Sequence, residues 1–249
     1  MTSPIPPELT QALQAEARLR KSPNVRPRDA ATLILLDHTG PTPRVLMGRR
    51  HAGHKFMPGK FVFPGGRIEA CDRQMNVAGA LDAIVEEKLN ARTRRPSPGF
   101  ARALALAAIR ETFEETGLAL GVTDHGAPER APAGAWSRFA ATGVFPALDS
   151  LDFIARAITP PRRPRRFDTR FFVADAALVA HRAPGIINAE AELVELVWTP
   201  LEQATTLDMP IITRVVLAEL AAATRAGMSR FRARPFYHER HRRWLREEL

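Results

Sequence analysis

Between Arg110 and Leu118 the chain reads Arg-Glu-Thr-Phe-Glu-Glu-Thr-Gly-Leu, and no other stretch constrains its fold as tightly. Glu111, Glu114 and Glu115 are spaced i, i+3 and i+4, which in a helix sets all three on one face. Residues 98–116 predict that helix. Ser97 can cap its start, Leu104, Leu106, Ile109 and Phe113 supply an apolar side, and Gly117 can stop it in the left-handed conformation. Like charges at these spacings destabilise a helix by roughly 0.2–0.5 kcal/mol per pair, so gathering them unaided brings no gain. A solvated acidic face is the plain alternative. A divalent cation reverses the sign, and oxygen-only ligands suit Mg2+ or Mn2+ shared between carboxylates and substrate phosphates.

Upstream, the short apolar run Phe61-Val62-Phe63 leads into Pro64-Gly65-Gly66-Arg67-Ile68-Glu69. A glycine pair permits positive φ and leaves backbone groups unshielded, so this loop can offer a carbonyl to a metal or an N–H to phosphate. Joined to Arg-Glu-x-x-Glu-Glu-x-Gly, it resembles the Nudix box, the signature of hydrolases that cleave a nucleoside diphosphate linked to another group. The chain departs from that box twice. Five residues beyond Gly66 stands Asp72 where the family has Glu, and residues 73–109 occupy a gap that is seven residues long in the common box. The interrupted box, with Phe-Pro-Gly-Gly and the run Arg-Arg-Phe-Asp-Thr-Arg-Phe-Phe at 165–172, is similar to the subgroup containing the peroxisomal coenzyme A-cleaving Nudix protein of mammals. The resemblance spans roughly residues 28–205.

Short strands and separate helices without regular alternation point to an α/β or α+β fold rather than a doubly wound parallel sheet. The resemblance implies an α/β/α sandwich around a mixed β-sheet, with a helical insertion inside the box at about 73–97. Residues 1–27 read as an N-terminal helix (8–20) and linker, 28–205 as the Nudix domain, and 206–249 as a C-terminal helical extension. Strands are expected at 30–36, 45–49, 61–63, 118–122, near 141–145, at 170–174 and at 192–198. Further helices are expected over 77–89, where Val77, Leu81, Ile84, Val85 and Leu89 recur at helical spacing, from Thr199-Pro200-Leu201-Glu202, and over 210–226. The basic segment 225–249 carries Phe231, Phe236, Tyr237 and Trp244. It reads as a tail helix docked by its aromatics, with RNA binding or an oligomer contact, a homodimer among them, as alternatives.

The Nudix pattern makes Glu114 and Glu115 the leading metal ligands and Glu111 a ligand or general base, with Arg110 orienting Glu111. Asp72 is a further candidate ligand, or else a helix cap within the insertion, and a backbone carbonyl of Gly65 or Gly66 is another. Many family members use a late carboxylate as ligand or base. Glu192 takes that place here, with Glu190 and Glu195 as rivals. Substrate capture is assigned to Arg49, Arg50 and Lys60, or to the run 162–166 including Arg166, with ordinary solvated charge as the alternative. His51 and His54 lack cysteine partners at zinc spacing and read as loop residues.

Net charge is +9, yet there are only four lysines, so arginine supplies most of the positive charge. Its planar fork suits phosphate. Capture of a nucleotide and a merely arginine-rich composition both explain it, while the scatter of the arginines argues against nucleic acid as main partner. Cys71 is the sole cysteine, which excludes an intrachain disulfide. The start lacks the pattern of a signal peptide and no apolar run is long enough to span a bilayer, so a cytoplasmic location and no membrane partner are expected. The expected activity is metal-dependent cleavage of the diphosphate in a nucleotide derivative, with coenzyme A or acyl-coenzyme A first. ADP-ribose, a dinucleotide or another nucleoside diphosphate-X requires the same chemistry. A Nudix-like module that binds a nucleotide without cutting it is the reading from another class, and retention of Arg110, Glu111, Glu114 and Glu115 argues against it.

Overall fold

The near-continuous apolar run Ala30-Ala31-Thr32-Leu33-Ile34-Leu35-Leu36 gives a strand two apolar faces, and it becomes a central strand covered on both sides. The computed structural model describes residues 5–18, 22–54 and 56–249. In chain order they form α1 (Pro7–Ala17), β1 (Arg28–Asp37), β2 (Arg44–Arg50), β3 (Phe61–Val62), β4 (Gly65–Arg67), α2 (Ala83–Asn90), α3 (Pro98–Thr116), β5 (Leu118–Leu120) and α4 (Ala135–Ala140). There follow β6 (Asp152–Ile158), β7 (Phe167–Asp175), β8 (Val179–Arg182), β9 (Leu193–Pro200), α5 (Ile211–Arg225), β10 (Pro235–Arg240) and β11 (Arg243–Glu248). The main sheet runs β11-β10-β6-β7-β1-β2-β3, with β4 also on β1 and β9 also on β2. β1 is parallel to β7 and β10 to β6, and the other pairings are antiparallel. Leu33 and Leu35 pack towards α2, α3 and α4, whereas Ile34 and Leu36 pack towards α1 and α5. The result is the expected α/β/α sandwich around a mixed sheet.

One irregularity of the sheet positions the site. β1 pairs with β2 only at Leu36–Val45 and Asp37–Arg44. Towards its start it pairs with β4 at Ala30–Thr32 instead, while β2 continues against β3 and β9. The two strands therefore diverge, and β4 lies in the split beneath the C-terminal half of α3.

Several expectations need correction. The first helix ends at Ala17, and residues 19 and 20 of the expected span lie outside the described residues. In the insertion only Ala83–Asn90 is helical, capped by the Asp82 carboxylate on the N–H groups of Ile84 and Val85. Val77 and Leu81 precede it, in a segment turned by Gly79 at φ +69 and tied down by a single bridge from Ala78 to Ala147. No strand forms near 141–145, where Phe145 makes one isolated bridge to Val122. Thr199-Pro200 does not start a helix, because β9 runs through to Pro200, a proline tolerated at the end of a strand paired on one side only. Beyond α5 the chain is a β-hairpin rather than a tail helix. Its Tyr237 hydroxyl and Arg246 guanidinium both bond Glu219 of α5. Among the described residues no helix is long and apolar enough to cross a membrane.

Candidate active site

The carboxylate-bearing helix is bounded as its sequence predicts. Ser97 Oγ accepts from the Phe100 N–H at 3.1 Å, and Gly117 at φ +77 closes the helix. At its C-terminal half Arg110 is buried and places all five of its N–H donors. Nε and Nη2 grip Asp72 at 2.7 and 3.2 Å, and Nη2 also reaches the Arg67 carbonyl at 2.8 Å. Nη1 bonds Glu111 at 2.9 Å and Glu114 at 2.7 Å. Burial opposes the charge on Arg110, but Asp72, Glu111 and Glu114 outweigh it and hold the guanidinium firmly protonated. Asp72 is completely buried and also accepts from Trp136 Nε1 at 2.9 Å and the Glu69 N–H at 2.8 Å. Its oxygens are thus committed to protein donors. Through Arg110 the Asp72 carboxylate is linked to Glu111 and Glu114, an arrangement suited to positioning those two carboxylates.

The glycine pair forms the opposite wall. The Gly65 N–H donates to Glu115 Oε2 at 3.2 Å, and Gly66 lies flat against Glu111. A Cβ on Gly66 would fall 2.3 Å from the Glu111 carboxyl carbon, and one on Gly65 would fall 2.6 Å from the Ala31 carbonyl. Neither glycine has positive φ, so close approach, not left-handed backbone, is what requires them. Gly66→Ala is expected to fold, since the flexible end of Glu111 can yield, but to displace that carboxylate. A misplacement of this size costs on the order of a hundredfold in rate. A melting temperature beside a kcat measurement checks this, and an unchanged kcat would remove Glu111 from the site.

Burial raises the pKa of Glu111 to about 7, with Glu114 and Glu192 adding to the shift and Arg110 opposing it. Burial likewise pushes Glu115 well above the usual carboxylate range, reinforced by Glu192 and Glu111 and opposed by the Gly65 N–H and Arg50. Glu192, on the turn leading into β9, is held by Arg50 Nη1 at 2.9 Å, and Arg50 Nε is anchored on the Phe56 carbonyl. The split in the sheet therefore assembles Glu111, Glu114, Glu115, Gly65, Gly66, Arg110, Arg50 and Glu192. Among the described residues no three His, Cys, Asp or Glu side chains stand ready as a cage for a metal ion. The donor chemistry nevertheless fits a hard divalent cation, because the gathered groups are carboxylates whose charges are opposed by burial and by one another.

Other expected residues lie elsewhere. Arg49 pairs with Glu195 at 2.6 Å on the surface, which also accounts for that rival of Glu192, and Glu190 is exposed. Lys60 pairs with Asp208 at 2.5 Å and borders, with Phe56, Met57 and Arg165, a cavity of about 580 Å³ on the α5 side. Arg166 is spent on the carbonyls of Thr159 and Val25. The sequence reading missed Trp136 and Arg138 of α4, which hold Asp72 and face Glu114 at 3.7 Å. Nothing in the Pro-, Gly- and Ala-rich residues before them signals that role.

No family model matches the chain. A stretch of 180 residues is 30% identical to a Caenorhabditis elegans protein described as putative nudix hydrolase 7. That match covers 69% of this chain and 50% of the other, so the chain spans half the length of that relative. Among solved structures, a NUDIX hydrolase from Alicyclobacillus acidocaldarius aligns at TM-score 0.60 and 29% identity, over 80% of this chain and 92% of that one. The Nudix hydrolase RenU from M. smegmatis aligns at TM-score 0.42 and 19% identity, over 80% and 87%.

Proposed function

This chain has the Nudix-hydrolase fold and is homologous to Nudix proteins, and from that premise we propose that it hydrolyses the diphosphate linkage of a nucleoside diphosphate joined to a further group. The observation that carries the reading is the packing of Glu111 and Glu115 against Gly66 and Gly65 in the split between β1 and β2. Homology favours neither coenzyme A or its thioesters nor ADP-ribose or a dinucleotide, so the broad reading takes the place of the expected coenzyme A preference.

In this reading Glu111, Glu114 and Glu115 present oxygens to Mg2+ or Mn2+. When bound, such a cation neutralises phosphoryl charge and makes water a competent nucleophile at neutral pH. Arg110 holds Glu111 and Glu114 from behind through a single nitrogen, and the Gly65 N–H fixes one oxygen of Glu115. Arg50 takes one oxygen of Glu192, which leaves the other free to accept a proton from attacking water. Attack at phosphorus yields two phosphate monoesters. A turnover screen over ADP-ribose, a dinucleotide and coenzyme A, run in 18O-labelled water, tests the proposal, with label expected in one phosphate product. Chelator is expected to abolish turnover and added Mg2+ or Mn2+ to restore it. Turnover that survives chelation overturns the assignment.

A further inference from the structure

Between the insertion and the first residues of β1 and β7 lies a second concavity, of about 1110 Å³, walled by nine arginines and two aspartates. None of Glu111, Glu114 and Glu115 borders it, and its charge is opposite to theirs. The two aspartates are already engaged. Asp168 holds Arg156 through two bonds of 2.8 and 2.7 Å, and Asp29 holds Arg170 at 2.7 Å. Around them Arg26, Arg28, Arg67, Arg94 and Arg95 make no side-chain hydrogen bond or ion pair among the described residues. Beneath them Arg170 is 1% exposed, and its Nε has no partner. A buried donor left unmade costs about 1–3 kcal/mol, and like charges gathered in a concave wall focus their field instead of dispersing it.

Ordinary solvation explains five exposed arginines on a convex surface. It does not explain a fully buried sixth with an idle donor at the base of the same concavity. We propose that this cavity binds a small polyanion carrying two or more phosphate groups. Guanidinium forks pair with phosphate oxygens through two bonds at once, and the volume admits more than one phosphate. Arg94 and Arg95 come from the connection between α2 and α3, so the insertion that interrupts the box supplies part of the wall. Arg67 links the two places: its side chain borders the cavity while its carbonyl accepts from Arg110. The phosphates belong either to a free ligand or to a distal group of the substrate, and the chemistry of recognition is the same.

Inorganic tripolyphosphate, titrated by calorimetry without added divalent cation, is the probe. Saturable binding is expected in the wild type. In the Arg94→Gln/Arg95→Gln double variant it should weaken by at least about tenfold, the loss of a single charged hydrogen bond being sufficient for that. Glu115→Gln is expected to bind the probe as the wild type does, which separates this site from the carboxylates even if the proposed hydrolysis fails. Where hydrolysis is measurable, a free ligand changes the rate on every diphosphate substrate. Substrate-borne phosphates make tripolyphosphate compete only with substrates that carry two or more phosphate groups beyond the scissile diphosphate, and the double variant then raises KM for those alone. Absence of saturable binding, or equal affinity in the wild type and the double variant, overturns the proposal.

Discussion

Glu115→Gln is expected to lower turnover on the order of a thousandfold while leaving the protein at least as stable as the wild type, because a cation clamp supplies several kcal/mol to the reaction and each ~1.4 kcal/mol is tenfold. The two halves of that expectation have one cause. Glu115 is buried, and its charge is opposed by burial and by Glu192 and Glu111. The amide keeps the shape and still offers an oxygen to the Gly65 N–H, but it removes the charge that the fold disfavours and that a cation requires. Calorimetric melting of the wild type should rise on adding Mn2+, and this rise should vanish in the variant. Wild-type turnover in Glu115→Gln removes the residue from the site. Lost turnover accompanied by a lower melting temperature makes it structural instead.

What could be read from the sequence follows from how local the signal is. The two ends of α3 and its acidic face are local: Ser97, Gly117 and the i, i+3, i+4 spacing act within one helix, and the structure places that helix over Pro98–Thr116. β1 and β7 carry apolar runs bounded by polar residues and were equally legible. β6 was not, because Asp152 opens it and the buried Arg156 interrupts its apolar run. The terminal hairpin was hidden for a different reason. A tight two-residue turn needs positive φ at both central residues and favours Asn-Gly, yet here it is made by His241 and Arg242 at φ 50 and 63. The candidate site was legible as a set of carboxylates and illegible as a set of partners. Counting along the box finds Asp72, but only the tertiary fold brings Trp136 and Arg110 to it. Arg49 and Arg50 look equivalent in sequence, and only Arg50 meets Glu192.

That distinction gives the second large effect. Asp72→Ala removes both carboxylate oxygens from Arg110, together with the acceptor for Trp136 Nε1 and for the Glu69 N–H. An uncompensated charge buried by loss of its partner costs about 3–5 kcal/mol, and in a chain of this size each kcal/mol moves the melting temperature by roughly 2–4 °C. A fall on the order of 10 °C is therefore expected. Trp136→Phe, which keeps the ring against Phe139 but deletes one bond to a charged group, should cost about 1.5–3 kcal/mol and rank below it. Asp72→Asn should fall between the wild type and the alanine variant, since it keeps the shape and part of the acceptor set. Activity measured well below each melting temperature should drop about 10–100-fold in Asp72→Ala, the usual loss when a group orienting the reacting carboxylates is removed. The two roles open to Asp72 predict opposite signatures. As a ligand, its removal would abolish the Mn2+-induced rise in melting temperature and leave the metal-free protein as stable as before. As the anchor of Arg110, its removal destabilises the metal-free protein and leaves a smaller but measurable rise, because Glu111, Glu114 and Glu115 remain to meet the ion.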